Sequence, residues 1–200
     1  MSKKEDLRII KTRNAIKDAF FALLNEKTFE KITVADIAEK AVINRGTFYL
    51  HYKDKFDLLE SLEREVMEQI DSFIQLITED SIRDVYEHGK PLPHLIPLFS
   101  FIQENPMFFT LISRNSTGSA FFDKIVDKHF SQISQALNLK ENETVYEYIK
   151  VIASSVSSSV IKKWIERDMK ESKEQLSNLI TCIMISNLSL IYDMGRIPIG

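Results

Sequence analysis

Apolar positions recur at helical spacing along residues 7–26, with polar positions between them, which predicts an amphipathic helix. A shorter helix is predicted from Thr33, because Asp36 three residues later approximates a capping box. Asn44 is a good N-cap for the next segment, RGTFYLHY, in which apolar and polar positions again alternate at helical spacing. The periodic apolar positions of the first helix are Ile9, Ile16, Phe20 and Leu23.

Longer helical patterns make up the rest of the chain. Asp54 is the predicted N-cap of a helix of about 24 residues. Residues 78–98, which are rich in Gly and Pro, are predicted to be a linker. No β-hairpin signal is present, so the sequence predicts an all-α fold of about nine helices. The remaining helical patterns cover residues 106–114, 119–137, 142–169 and 172–194, with Ser172 and Gln175 as a capping box for the last.

Composition supports this all-α interpretation. The chain holds 5 Gly and 5 Pro in 200 residues, too few for the many tight turns of a β-sandwich or barrel. Cys182 is the single cysteine, which excludes an intramolecular disulfide and a Cys-ligated zinc site. We find no secretory signal and no apolar run long enough to span a bilayer, so we expect a cytoplasmic protein without a membrane partner.

Charge is divided unevenly along the chain. Residues 1–60 hold 12 Lys and Arg against 10 Asp and Glu, whereas residues 61–200 hold 14 against 19. A mildly basic head on an acidic body is typical of a protein whose first domain binds nucleic acid.

Residues 33–52 have the spacing of a helix-turn-helix, with two short helices joined by a tight turn. Such a unit places its second helix in the major groove, with the N-terminal residues Arg45, Gly46 and Thr47 at the base edges. Arginine binds guanine in a bidentate manner, the threonine methyl contacts thymine, and Gly46 permits close backbone approach. The residues suited to phosphate contacts are Tyr49, His51, Lys53 and Lys55, although packing of His51 against the first helix is an open alternative.

The string TVADIAEKAVINRGTFYLHYKDKFDLL, residues 33–59, resembles the tetracycline-repressor (TetR) family of bacterial regulators, and Thr12-Arg13 fits as well. The resemblance implies that residues 45–47 reach the groove, and it implies an N-terminal DNA-binding domain over residues 1–55. It also implies that Thr33, Tyr49, His51 and Lys55 contact the phosphate backbone. The complete predicted DNA-binding set is Thr33, Asn44, Arg45, Gly46, Thr47, Tyr49, His51, Lys53 and Lys55.

One position departs from the family pattern. Val42 lies in the turn where members often have Gly. A left-handed backbone is strained for a β-branched residue, so we expect the turn to differ locally.

Residues 56–200 are predicted to form a helical domain for dimerisation and ligand binding. The last helix is apolar nearly all round, so it must be buried on more than one side, either at the centre of its own domain or against a partner chain. The run ASSVSSSV at residues 153–160 permits close approach of the preceding helix, although a solvated serine face is an alternative. The predicted homodimer interface consists of Ile180, Ile183, Met184, Leu188 and Ile191.

Aromatic residues are concentrated between residues 99 and 164, where they can enclose an apolar pocket with a few polar groups. Most of these rings are also expected to serve as plain core. The absence of a strong charged cluster favours a small, largely apolar effector. The candidate ligand-binding residues are Phe99, Phe108, Phe122, His129, Tyr146, Ser154 and Trp164.

Taken together, the sequence predicts a dimeric one-component transcriptional regulator that binds a palindromic double-stranded DNA operator under control of a small-molecule effector. Repression and activation are not distinguished. The alternative is a similar regulator that acts through protein partners without binding an operator. No nucleophile–base–acid set is visible, so we expect neither enzymatic activity nor a cofactor nor a metal.

Overall fold

The structure, a computed structural model, describes residues 3–114, 118–137 and 144–194, and the side chains of residues 7–114, 120–137, 147, 148 and 150–186. Across these ranges the chain is all-α, with no β-strand, as the sequence predicts. The helices are α1 (Lys3–Leu24), α2 (Val34–Lys40), α3 (Arg45–Tyr49), α4 (Lys55–Ile74), α5 (Glu79–His88), α6 (Leu95–Glu104), α7 (Pro106–Arg114), α8 (Gly118–Ala136), α9 (Thr144–Glu166) and α10 (Lys173–Met194).

Two compact units divide the chain, residues 1–66 and residues 67–200, and the boundary falls inside α4. Unit 1 contains α1, a short 3-10 turn at Phe29–Lys31, α2, α3 and the first part of α4. Its core is closed by apolar side chains from each of these helices, because each helix buries one face against the others. The fully buried members of this core are Ile16, Phe20, Ile32, Ile37, Phe48 and Leu58.

Side-chain caps fix where the short helices of unit 1 begin. The Thr33 hydroxyl accepts a hydrogen bond from the Asp36 N–H at 3.2 Å, and the Thr33 N–H donates to the Asp36 carboxylate at 2.8 Å, which confirms the predicted capping box. The Asn44 side-chain oxygen accepts from the Gly46 N–H at 2.9 Å and caps α3. Asp54 likewise accepts from the first N–H groups at the start of α4. These bonds satisfy donors that a helix start otherwise leaves unpaired.

Unit 2 is a bundle formed by α5–α10 with the second part of α4. The predicted linker over residues 78–98 is wrong in part, since α5 occupies Glu79–His88 and α6 begins at Leu95. Thr78 and Ser81 form a capping box at the start of α5, and Gly89 ends this helix in the left-handed conformation at φ 63°. The Gly and Pro residues therefore separate two helices instead of replacing them.

The turn between α9 and α10 is held by one side chain. The Trp164 indole N–H donates to the Glu171 carbonyl at 2.9 Å. Ser172 and Gln175 form the predicted capping box of α10, with N–H to side-chain oxygen distances of 3.0 and 3.2 Å. These bonds fix α9 and α10 as neighbouring antiparallel helices.

No single helix among the described residues is long and apolar enough to cross a bilayer. The successive helices α6 and α7 reach that length and apolarity only as a pair, and the pair is bent by 91°.

Candidate nucleic-acid interface

Helix α3 has one face in the core of unit 1 and its N-terminus in solvent. Phe48 is fully buried and anchors the helix, whereas Arg45 and Gly46 are exposed and Thr47 is half-buried. The residues predicted to reach base edges therefore share the outward end of α3. The Asn44 oxygen accepts the capping bond, and the amide NH2 of Asn44 stays available as a donor for a contact outside the protein.

The predicted phosphate-contact residues follow α3 closely. The ring of Tyr49 is 57% exposed and lies edge-on against Phe48, with 5.8 Å between ring centroids. Lys53 is exposed, and its ammonium has no ion pair among the described side chains. Leu50, which sequence reasoning missed, is 83% exposed beside them. Its exposure could have been predicted, because Leu50 does not share the helix face of the buried pair Phe48 and Tyr52.

His51 is half-buried and belongs partly to the interior. Burial lowers the pKa of its imidazole, and the positive charge of Arg13 on α1 lowers this pKa further. His51 is therefore neutral near pH 7 and offers hydrogen bonds instead of a positive charge. Its proximity to Arg13 agrees with the alternative that His51 packs toward the first helix, while its phosphate contact stays a prediction.

Lys55, also predicted to contact phosphate, is bonded to the protein itself. Its ammonium donates to the backbone carbonyls of Phe29, Glu30 and Ile32, each at 2.9 Å. It also lies 4.7 Å from the centroid of the Phe29 ring. A lysine ammonium has three N–H donors, and all three are taken by the protein. Lys55 thus joins the 3-10 turn to the start of α4, and its contact with phosphate stays a prediction.

The Thr33 hydroxyl also forms its hydrogen bonds within the protein, with Asp36. It donates to the Asp36 carboxylate at 2.8 Å and accepts from the Asp36 N–H. Hydrogen bonds from Lys27 and Thr33 lower the pKa of the Asp36 carboxyl to about 2. The Thr33 side chain is therefore a helix cap, and its predicted contact with phosphate is untested.

The turn before α3 keeps the geometry that the family pattern implies, so the expected local difference at Val42 is wrong. Val42 adopts the left-handed conformation at φ 55°. Its N–H donates to the Glu39 carbonyl at 3.0 Å, and the Ile43 N–H donates to the Ala38 carbonyl at 2.9 Å. This pair of bonds is a Schellman motif, whose left-handed position is usually Gly. The Val42 side chain is 90% exposed, so it clashes with no packed neighbour.

Unit 2 buries most of the side chains predicted to bind a ligand. The Phe99 and Trp164 rings pack at 5.4 Å between centroids, and Phe108 packs on Phe121 at the same distance. The Tyr146 side chain lies outside the described residues. Phe122 and His129 are buried, and Ser154 is half-buried with a buried hydroxyl. A pocket of about 340 Å³ lies elsewhere, lined by Gln103, Pro106, Thr110, Ile165, Asp168 and Met169, none of which was predicted.

Two of the residues predicted for the dimer interface face the interior of their own unit instead. Ile180 and Met184 are buried within the unit, each 2% exposed, because α10 turns this face toward its own bundle. Ile183 is half-buried, and the Leu188 and Ile191 side chains lie outside the described residues. A different face of α10 and one face of α9 point outward. We call these residues the outer stripe: Tyr148, Val151, Ile152, Ser155, Val156 and Ser159 on α9, and Leu179, Cys182, Ile183 and Ser186 on α10.

Family comparisons cover both units. A family described as bacterial regulatory proteins, tetR family, matches residues 16–62, which include α2 and α3. A family described as transcriptional regulator C-terminal region matches residues 89–186.

Two Bacillus subtilis (strain 168) proteins are similar to this chain. The uncharacterized HTH-type transcriptional regulator YxbF is 26% identical over 166 residues, which are 82% of this chain and 42% of YxbF. The fatty acid metabolism regulator protein is 25% identical over 185 residues, which are 86% of this chain and 93% of that protein. The chain thus spans less than half of the first relative and nearly all of the second.

Solved structures share the fold. The dihydroxyacetone kinase operon activator DhaS has a TM-score of 0.58 at 21% identity, covering 90% of this chain and 96% of its own. A tetR-family transcriptional regulator from Streptomyces coelicolor has a TM-score of 0.64 at 17% identity, and the match covers 92% of this chain and 87% of that one. With the helix-turn-helix in unit 1 and family matches in both units, the chain belongs to the TetR family of transcriptional regulators, which bind DNA.

Proposed function

We propose that the protein binds a palindromic DNA operator as a homodimer, and that a small molecule held in unit 2 controls its affinity for DNA. The observation that carries this proposal is the outward N-terminus of α3. Asn44 caps the helix, Phe48 anchors it, and Arg45 and Gly46 remain exposed at its tip. This is the arrangement with which a helix-turn-helix reads the major groove.

The charges of unit 1 support contact with DNA. Lys17, Lys27 and Lys40 are paired with Glu65, Asp36 and Glu26, so these lysines serve the fold. Arg45 and Lys53 have no such pair among the described side chains and lie at or just after α3. Arg45 is the base-reading side chain in this proposal, and Lys53 and Tyr49 contact phosphates that fix the register.

The outer stripe supports the homodimer. On α9 its members recur three or four residues apart and thus share one helix face, and the same holds on α10. Exposed Val151, Ile152 and Leu179 give this face an apolar character, and Ser155 and Ser159 allow close approach of a second backbone. Two neighbouring helices from each protomer then build a four-helix contact, and two heads related by a two-fold axis read the two half-sites.

Helix α4 supports the coupling of ligand to DNA. It runs without interruption from Lys55 to Ile74, across the boundary of the two units. A ligand changes DNA affinity only by binding better to one of two arrangements of the DNA-reading heads. A shift of α4 is the route by which a ligand in unit 2 selects between such arrangements.

Binding through protein partners without an operator is the weaker alternative. An altered turn at Val42 would have favoured it, but Val42 adopts the left-handed geometry of an ordinary helix-turn-helix turn. The exposed tip of α3 therefore favours operator binding.

An electrophoretic shift assay with the DNA upstream of the protein's own gene tests the proposal. We expect a discrete complex that Arg45→Ala weakens by about 5- to 150-fold, equivalent to the roughly 1–3 kcal/mol of one base contact. Arg64→Ala, at an exposed arginine on α4, is the matched control and should bind like the unmodified protein. Equal loss in both variants, or no loss in either, would contradict the assignment of α3 as the reading helix.

A further inference from the structure

A pocket of about 340 Å³ lies in unit 2 where two helix corners meet. One corner is the 91° bend between α6 and α7, and the other is the turn that follows α9. Contacts on both sides of this turn hold it against α6: the Phe99 and Trp164 rings pack at 5.4 Å between centroids, and the Lys173 ammonium donates to the Ser100 hydroxyl at 2.9 Å. We call this space the corner pocket, and its lining residues are Gln103, Pro106, Thr110, Ile165, Asp168 and Met169.

Three polar side chains of the lining are available to a ligand. The Gln103 amide, the Thr110 hydroxyl and the Asp168 carboxylate form no hydrogen bond or ion pair with any other described residue. They come from the end of α6, from α7 and from the turn after α9, so three separate elements direct polar groups to one pocket. The other three lining residues are apolar. An apolar pocket with a few convergent polar groups is the usual form of a small-molecule site.

The charge of the corner pocket is negative. Of the six lining residues, Asp168 alone carries a charge. The basic residue before it, Arg167, pairs with Glu171 at 3.0 Å, and Lys170 after it is exposed and forms no ion pair with the described side chains. The Asp168 carboxylate therefore lacks a counter-ion within the protein. Because an ionised carboxylate only accepts hydrogen bonds, it favours a ligand that is positively charged and carries N–H donors.

The backbone that carries this carboxylate is strained. Asp168 and Met169 both adopt the left-handed conformation, at φ 57° and 53°. The Asp168 N–H donates to the Ile165 carbonyl at 3.0 Å, and the Met169 N–H donates to the Trp164 carbonyl at 2.9 Å, which ends α9 in a Schellman motif. Glycine usually occupies the left-handed position of this motif, but here that position holds a carboxylate that lines the pocket. Strained residues of this kind cluster at ligand sites, which supports a binding role for the turn.

We propose that the corner pocket binds a small organic ammonium ion, with Asp168 as its counter-ion. The ammonium N–H groups donate to the Asp168 carboxylate, and the Gln103 and Thr110 oxygens accept the remaining donors. The apolar part of the ligand packs on Pro106 and Ile165. This inference names a ligand class for the ligand control put forward above and rests on it to that extent. None of the lining residues belongs to the aromatic set that the sequence predicted to bind a ligand.

Methyl NMR on the full chain labelled with 13C-methyl methionine tests the site, because Met169 lies in the lining. The variant Met169→Leu assigns the Met169 resonance. The probes are benzylammonium, its uncharged counterpart benzyl alcohol, and the anion benzoate, all at one ionic strength. We expect benzylammonium to shift the Met169 resonance and to bind about fivefold more tightly than benzyl alcohol, the upper range for an ion pair with an exposed carboxylate. The Met184 resonance should not shift, since Met184 is buried in the core on α10.

Two results would overturn the proposal. One is a Met169 resonance that benzylammonium leaves unshifted at millimolar concentration. The other is benzyl alcohol or benzoate that binds as tightly as benzylammonium, because the pocket would then not select a positive charge.

A pair of variants tests Asp168 itself. Asp168→Asn removes the charge at nearly constant size, and asparagine tolerates the left-handed backbone, so the variant should keep its helical circular dichroism. It should bind benzylammonium about fivefold more weakly and benzyl alcohol as before. Glu87→Gln, at an exposed carboxylate on α5 outside the lining, is the matched control and should keep the preference for benzylammonium. A preference that Asp168→Asn retains would exclude Asp168 as the counter-ion. If Asp168→Asn fails to fold, the three probes on the unmodified protein still decide the question.

The effect on DNA is measured separately from binding at the corner pocket. Benzylammonium that shifts Met169 without changing DNA affinity would support the site and contradict ligand control through it. DNA release by a small molecule that leaves the Met169 resonance unshifted would support ligand control and overturn the corner pocket as its site.

Discussion

The ammonium nitrogen of Lys55 lies 2.9 Å from the carbonyl oxygen of Ile32, 23 residues earlier in the chain. With its further bonds to the Phe29 and Glu30 carbonyls, Lys55 gathers the three backbone oxygens of a turn that ends near the start of α2. A hydrogen bond from a charged donor is stronger than one from a neutral donor. Lys55 therefore helps to set the position of the helix-turn-helix from outside it.

Replacing Lys55 should destabilise unit 1. Lys55→Met keeps much of the aliphatic chain and removes the three N–H donors, so we expect a loss of about 1–3 kcal/mol in the free energy of unfolding. Lys53→Met is the matched control, since the Lys53 side chain is exposed; it should keep stability and weaken DNA binding. Urea denaturation followed by circular dichroism measures the first effect, and fluorescence anisotropy with labelled DNA the second. Equal stability of the two variants would contradict the structural role of Lys55.

The variant Gly46→Ala distinguishes a role of Gly46 in folding from a role in DNA contact. A Cβ built on Gly46 meets only the Asn44 side-chain oxygen, at 3.6 Å, which is an ordinary contact. The variant should fold at least as stably, because alanine favours a helix by up to about 1 kcal/mol over glycine. If the Gly46 backbone approaches DNA closely, the added methyl group should lower operator affinity by about tenfold or more. Thermal unfolding and DNA titration on the same sample decide this, and unchanged affinity would remove Gly46 from the interface.

Val42→Gly should stabilise the protein. Val42 holds a left-handed backbone that costs an L-residue about 1–2 kcal/mol, and glycine adopts it freely at some cost in chain entropy. We expect a net gain of about 1 kcal/mol, visible as a higher thermal midpoint. Val42→Ala keeps a Cβ and is the control, which should gain less. A lower midpoint for Val42→Gly would mean that the exposed valine contributes contacts that offset its strain.

A charge placed on the outer stripe should separate the protomers. Ile152→Glu and Leu179→Glu each place a carboxylate at an exposed position, so each variant should retain its helical circular dichroism. In a dimer that buries this stripe, the same carboxylate lacks a counter-ion, and sedimentation velocity should report a monomer. Leu76→Glu, at an exposed leucine outside the stripe, should sediment like the unmodified protein. Dimers in all three variants would exclude the stripe as the interface.

Mild acid should weaken the fold through two buried histidines of unit 2, His94 and His129. The pKa values of His94 and His129 lie below that of an unfolded histidine, near 6.5, so the unfolded chain alone binds protons just below this pH. The contribution of these two histidines to stability is therefore constant above about pH 7.5 and falls as pH decreases below 6.5, by up to about 1.4 kcal/mol per pH unit for each histidine. Urea denaturation between about pH 7.5 and 5 measures the slope. His129→Phe should reduce it and His88→Phe should not, and equal slopes would contradict burial of a neutral His129.

Features set by neighbouring residues were predictable from the sequence. The Thr33–Asp36 and Ser172–Gln175 boxes each join residues three apart, so their chemistry was visible before any tertiary contact was known. The match of residues 33–59 to the family pattern located the helix-turn-helix for the same reason. The turn at Val42 was misjudged because its two backbone hydrogen bonds outweigh the preference of a single side chain.

Features set by distant residues were not predictable. The carbonyls that bind Lys55 belong to a turn 23 to 26 residues away, and His94 meets His129 across 35 residues. In α10, apolar side chains surround the helix, so periodicity alone did not tell which face enters the protomer's own core. Ile180 and Met184 were assigned to a partner for that reason.

Trp164 is the single tryptophan of the chain, and its indole is buried against Phe99 with its N–H bound to the Glu171 carbonyl. Its intrinsic fluorescence therefore arises wholly within unit 2 and responds to solvent only when the contact between α6 and the α9–α10 turn opens. Helical circular dichroism, by contrast, sums over both units. Recording both signals in one denaturation experiment distinguishes melting of the DNA-reading head from melting of the helical body, with no added label.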